Sequence, residues 1–78
     1  MLFMKFKNYD TWLAIGLNIL HYRKEQGMTQ MQLAEKCGVS RNHIQRIETA
    51  ATSCSLDTLI DIAEALKIPL KKLFEFKD

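Results

Sequence analysis

The sequence predicts an all-α domain of five short helices around one core, and three observations carry that expectation. Only three glycines and one proline interrupt 78 residues, too few breakers for a chain of hairpins and long loops. Apolar residues recur at three- and four-residue spacing, and no strand-like stretch exceeds the ambiguous "LFMKF" near the start. Serine or threonine heads each of the middle segments, where the free N–H groups of a helix need an acceptor.

Taken in order, Asp10 or Thr11 can cap a first helix, "TWLAIGLNILHYRKEQ", that stops at Gly27. Trp12, Ile15, Ile19 and Tyr22 make one stripe for burial. Leu13, Leu17 and Leu20 make a second apolar line, which asks for a cover. Leu2, Phe3 and Phe6 folding back would supply one, and a subunit contact would supply another. Thr29 caps the second helix, and Gln32 three residues on completes a capping box. That helix, "QMQLAEKC", should bury Leu33, Ala34 and Cys37 before Gly38 ends it. Cys37 there reads as a small core residue. Ser40 caps the third helix, "RNHIQRIE", whose apolar residues Ile44 and Ile47 line up with Val39, so the rest of it should face outward. "TAATSCS" is a loop, and Ser55 caps a fourth helix with Leu56, Leu59, Ile60, Ala63 and Leu66 as its expected inner face. Pro69 then precedes a short fifth helix around "LKKLF", offering Leu70, Leu73 and Phe74.

A chain of this length supports one small core. The expected division is an N-terminal arm, residues 1–10, and one folded domain, residues 11–78. A formal charge of +2 is compatible with a polyanion but decides nothing alone, since distribution matters more than total. The start, "MLFMKFKNYD", lacks a basic flank before its apolar residues and a small-residue cleavage site. The longest apolar run, "WLAIGL", is six residues, far short of a bilayer span. A cytoplasmic protein with reduced thiols is the expectation.

Two short helices separated by "GVS" must cross steeply, so residues 29–48 read as a helix-turn-helix. An α-helix fits the major groove, where each base pair displays its own row of donors and acceptors. Arginine matches the two acceptors of guanine, and asparagine or glutamine can both donate to and accept from adenine. Arg41, Asn42, Gln45 and Arg46 supply that vocabulary within two turns, and no acidic residue intervenes before Glu48. Arg46 and Asn42 are expected on base edges, and Arg41 on a base or a phosphate. His43, nearer the flank, would donate to a phosphate or sugar, or simply face solvent. An ordinary solvated helix face would also be rich in arginine and glutamine, so this face alone is not decisive. Gln30 sits where N–H groups point outward, placed to clamp a phosphate or to reach the third helix. Ser40 has its capping task in either case, with a phosphate contact as an addition.

With those residues in view, "LNILHYRKEQGMTQMQLAEKCGVSRNHIQRIE" followed by "SLDTLIDIAEALKIPLKKLF" resembles the Cro/C1-type helix-turn-helix repressors, the XRE family. The resemblance covers roughly residues 15 to 74. It implies a compact five-helix, lambda-repressor-like domain that binds operator DNA as a dimer to control transcription. It places Gln30 on the family's phosphate-clamping glutamine, Arg41, Asn42 and Arg46 on base-facing positions, and His43 near the backbone or a thymine methyl. It also pairs Arg23 with Glu48 as a structural ion pair. The chain departs from the family at Ala50, usually glycine, at Cys54, often proline, and in "TAATS", which lacks the basic residues that often meet phosphates. A gentler salt dependence would follow.

A single recognition helix buries too little surface for tight specific binding, so a homodimer on pseudopalindromic operator DNA is expected, with half-sites about 34 Å apart. Candidate dimer contacts are the Leu13, Leu17 and Leu20 stripe and the C-terminal end with Leu70, Leu73, Phe74 and Phe76, the latter slightly favoured. The rival is an antitoxin-like or adaptor module of the same fold that captures a protein partner through the leucine stripe. No acid, base and nucleophile converge in the sequence, so no catalysis is expected. His21 and His43 lie on separate helices, and their spacing to Cys37 and Cys54 matches no compact zinc pattern, so neither metal nor cofactor is expected.

Overall fold

The computed structural model describes residues 7–76. Four α-helices run Tyr9–Glu25 (α1), Gln30–Cys37 (α2), Arg41–Glu48 (α3) and Leu56–Ala65 (α4), followed by a 3-10 helix, Leu70–Phe74. The expected contact of Leu2, Phe3 and Phe6 with α1 lies outside the described residues, as does most of the expected arm.

The start of α1 differs from the expectation. Its first residue is Tyr9, and the N-cap is Asn8 in the left-handed region with no side-chain cap bond. Asp10 therefore sits inside the first turn, where its carboxylate favours the positive end of the helix dipole without capping it. The capping box on α2 forms as the spacing implies. Thr29 Oγ1 accepts from the Gln32 backbone N–H at 3.0 Å, and Gln32 Oε1 accepts from the Thr29 N–H at 2.8 Å. Ser40 and Ser55 cap α3 and α4 in the same way, by accepting from the N–H three residues on.

All four α-helices close with the same pair of backward hydrogen bonds. Met28 N–H reaches Arg23 O and Gly27 N–H reaches Lys24 O, and equivalent pairs end the other three. The motif needs a left-handed residue just past the helix. Gly27 and Gly38 supply it without a Cβ penalty, whereas Ala50 (φ 58°) and Lys67 (φ 58°) adopt it with a side chain. The turn after Glu48 thus keeps the geometry of a glycine turn, although an alanine occupies it.

One core unites these elements. Ile15, Ile19, Leu33, Ala34, Ile44, Ile47, Leu59, Ile62, Ala63, Leu66 and Leu73 form it, each at most 4% exposed. Trp12, Tyr22, Cys37 and Val39 pack partly buried around it, so Cys37 is a boundary residue and not a fully buried one. Three further expectations are corrected. Leu56 is 58% exposed and Ile60 only half-buried, while Ile62 is fully buried, so the inner face of α4 is Leu59, Ile62, Ala63 and Leu66. Leu56 opens its helix and projects beyond the core it was expected to join. The fifth element is a 3-10 turn that buries Leu73, leaves Leu70 half-buried and leaves Phe74 39% exposed. On α3, Glu48 faces inward with the isoleucines. No helix among the described residues is long and apolar enough to cross a membrane.

Candidate nucleic-acid interface

The path of the chain from α2 to α3 is set by three residues. Gly38 turns left-handed at the end of α2, Val39 tucks half-buried against the core, and Ser40 starts α3 in extended backbone. Ile44 and Ile47 are then 0% exposed, which fixes the rotation of α3 about its own axis. Burying such side chains stabilises by about 1.5–3 kcal/mol each, so the helix has little freedom to roll. What that rotation leaves outside is polar: Arg41, Asn42 and Arg46 are exposed, and His43 and Gln45 are half-buried at the flanks. A helix with its side chains is about 10–12 Å across, a diameter that the ~12 Å wide major groove of B-DNA admits.

The C-terminal end of α3 is held from below. Arg23 Nε donates to Glu48 Oε2 at 2.6 Å and Arg23 Nη2 donates to Glu48 Oε1 at 3.1 Å, a two-pronged pair that ties α1 to α3. Arg23 also donates to Met28 O at 2.8 Å, so the same guanidinium holds the turn into α2. Gln30 joins the group: its Nε2 donates to Glu48 Oε1 at 3.0 Å. Arg23 and Glu48 are 7% and 4% exposed. The single carboxylate of α3 is thereby neutralised and buried, and the outer face presents only positive and neutral groups.

Gly16, in the middle of α1, lies against the same helix end. A Cβ there would sit 2.6 Å from Ile47 O and 2.7 Å from Glu48 O. The absence of a side chain lets α1 meet the backbone of α3 directly. Sequence reasoning passed over Gly16; its signal was a glycine inside a helix, tolerated despite a cost of about 1 kcal/mol against alanine. Two amides were also passed over. Asn18 Nδ2 donates to Leu73 O (3.0 Å) and Glu75 O (3.1 Å), and Gln26 Nε2 donates to Leu66 O, so α1 holds the C-terminal segment and the end of α4.

Arg46 leans toward the loop after α3, with Nη2 3.4 Å from Ala51 O, too long to fix it firmly. Thr49 Oγ1 donates to Gln45 O at 3.0 Å, so Thr49 serves the end of the helix. The two cysteines are free and stand apart from this face. Burial pushes the Cys37 thiol up to about 11, with Asp61 adding to it, and burial alone does the same to Cys54. Both are poor nucleophiles at neutral pH. His21 stands edge-on to Tyr22 and 3.7 Å from Glu25 on its own helix.

The Leu17 stripe is the other open surface. Leu17 is 53% exposed, with Leu13 and Leu20 half-buried beside it, and Phe76, 46% exposed, lines the same groove as Leu17.

A helix-turn-helix family model matches residues 19–73. The immunity repressor protein of Bacillus phage phi105 is 39% identical over 61 residues, covering 78% of this chain and 42% of the phage protein. Among solved structures, the restriction-modification controller protein C.AhdI from Aeromonas hydrophila superposes with a TM-score of 0.82 at 27% identity, covering 85% of this chain and 100% of that one. The biofilm master regulator SinR in complex with DNA superposes with a TM-score of 0.73 at 32% identity, covering 78% of this chain and 98% of that one. The chain spans about half the length of the first curated relatives it matches.

Proposed function

The chain belongs to the Cro/C1-type helix-turn-helix (XRE) family of transcriptional regulators, and on that premise we propose that it binds double-stranded operator DNA sequence-specifically as a dimeric repressor or autoregulator in the cytoplasm. One observation carries the reading. The outer side of α3 offers Arg41, Asn42 and Arg46 to solvent while its inner side is locked by Ile44, Ile47 and the Arg23–Glu48 pair. A rigid polar helix of groove width is what direct base reading requires.

In this reading Arg41, Asn42, Gln45 and Arg46 address base edges, and Gln30, Ser40 and His43 address the phosphate backbone. Gln30 has a second N–H on Nε2 free of the Glu48 bond, which suits it to a phosphate while it stays fastened to α3. Arg23 and Glu48 act on DNA only through the position of α3. The closing 3-10 turn takes the place of a fifth helix in a lambda-repressor-like arrangement. Ala51, Thr52 and Ser53 bring no basic side chain to the flank, so phosphate anchoring rests on few cations and the salt dependence is shallow. A second reading, an adaptor or antitoxin-like module, draws on the exposed Leu17 stripe and needs no DNA contact.

A binding selection from randomised duplex separates the two. The proposal expects recovered sites with two-fold symmetry and half-sites about 34 Å apart. Recovery of no enriched sequence at low salt would contradict it.

A further inference from the structure

Five positions of α1 form a seam of exposed and half-buried side chains. They are Asp10, Leu13, Leu17, Leu20 and Lys24, at alternating steps of three and four. That 3.5-residue period marks the side of a helix that runs along another helix. The buried positions of α1, Ile15, Gly16, Ile19 and Arg23, lie round the helix from it. Leu17 at its centre is 53% exposed. Beside Leu17 a groove of about 590 Å³ opens, lined also by Ala14, His21 and Phe76.

The two ends of the seam carry opposite charges. Asp10 and Lys24 stand seven residues to either side of Leu17, about 10 Å along the axis in each direction. Both are exposed, and neither is in an ion pair with another described residue.

We propose that this seam joins a second copy of the chain through an antiparallel α1–α1 contact with Leu17 on the two-fold axis. The inference deepens the dimer reading above, and rests on it, by choosing α1 over the C-terminal end. About such an axis, each residue faces the one equally far on the other side of Leu17. Leu17 meets Leu17, Leu20 meets Ala14, and Leu13 meets His21 at the groove beside Phe76. Asp10 then meets Lys24 of the second copy, and Lys24 meets its Asp10, so both ends are paired. A parallel arrangement would set Asp10 against Asp10 and Lys24 against Lys24, so the charges select the antiparallel one. The contact is isologous and closes on itself. One helix seam offers less than the ~1,200–2,000 Å² of a standard stable interface, so the association is reversible and concentration-dependent.

Sedimentation velocity on the full chain without DNA tests this, at concentrations up to about 500 µM. The wild type should shift from monomer toward dimer across that range. Leu17→Asp and Lys24→Asp should each weaken association by about tenfold or more, and the Asp10→Lys/Lys24→Asp double variant should recover it, because the swapped charges pair again. All three positions are exposed, and circular dichroism verifies that each variant keeps the helical fold. A wild type that stays monomeric, single variants that associate like wild type, or a double variant that recovers nothing would each overturn the contact. Titrating the same proteins onto a single half-site duplex keeps the DNA reading separate. Half-site binding that survives in Leu17→Asp leaves that reading standing whatever becomes of the seam.

Discussion

On its inner side α3 presents Ile44 and Ile47 at 0% exposure and Glu48 at 4%, with both carboxylate oxygens of Glu48 engaged by Arg23 or Gln30. On its outer side Arg41, Asn42 and Arg46 are exposed, and the hydrogen bond that Arg46 makes to Ala51 O is long at 3.4 Å. Eight residues thus serve two ends that pull apart in chemistry: half of the helix is fixed, and the other half is left unspent. Side chains engaged within the protein cannot bond to a base, and side chains on a loose helix cannot choose between bases. Stability and recognition should therefore be separable by mutation, residue by residue, within two helical turns.

The largest break in that separation is expected at Glu48. Glu48→Ala leaves Arg23 buried with an unpaired charge and removes the acceptor of Gln30, costing about 3–5 kcal/mol. Urea denaturation followed by circular dichroism should show it as a large fall in the midpoint. A loss under about 1 kcal/mol would mean that the pair does not hold α3.

Gly16→Ala comes next. Alanine is the better helix former by about 1 kcal/mol, yet its methyl would meet two backbone carbonyls at 2.6 and 2.7 Å. The net effect expected is a destabilisation of about 1–3 kcal/mol, because backbone cannot rotate away as a side chain can. A stabilised variant would show that α1 and α3 are not in close backbone contact.

On the outer face the expectation reverses. Arg41→Ala should leave the unfolding midpoint within the scatter of surface substitutions, about 0.5 kcal/mol. A modest gain in stability is expected at the end of α4. Lys67 is exposed at φ 58°, so Lys67→Gly should relieve left-handed strain and stabilise by up to about 1 kcal/mol. The smallest concerns the thiols. With Cys37 and Cys54 pushed up to about 11 from 9.0, the thiolate fraction at pH 8 is about a hundredfold lower than for an open thiol, and alkylation of the folded chain should be correspondingly slow. The linkage sign agrees: the raised folded values contribute stability fully below pH 9 that is lost as pH rises toward 11.

The inner side of α3 was legible from two isoleucines and a cap, because periodicity and capping are local rules. The bounds of α2 and α3 followed from Thr29, Gly38 and Ser40 for the same reason. The face of α4 was not legible. Leu56, Leu59, Ile60, Ile62, Ala63 and Leu66 make two overlapping stripes, and only the position of α2 and the 3-10 turn decides between them. The roles of Gly16 and Asn18 depend on carbonyls 32 and 55 residues away, at Glu48 and Leu73, which no window of sequence contains. Burial of Glu48 ran against its type, and only the resemblance to a known family supplied its partner. The polar outer face was legible as composition, whereas the long 3.4 Å contact of Arg46 to Ala51 O is a property of the fold.

The central claim is that the outer face of α3 reads bases because the inner face holds it still. Measuring the affinity of Arg46→Ala for the selected duplex and for a random duplex, at matched salt, tests that directly. The account predicts a loss of about 1–3 kcal/mol on the selected duplex, a much smaller loss on the random one, and an unchanged unfolding midpoint. Equal losses on both duplexes would make Arg46 a phosphate contact and contradict base reading from this face.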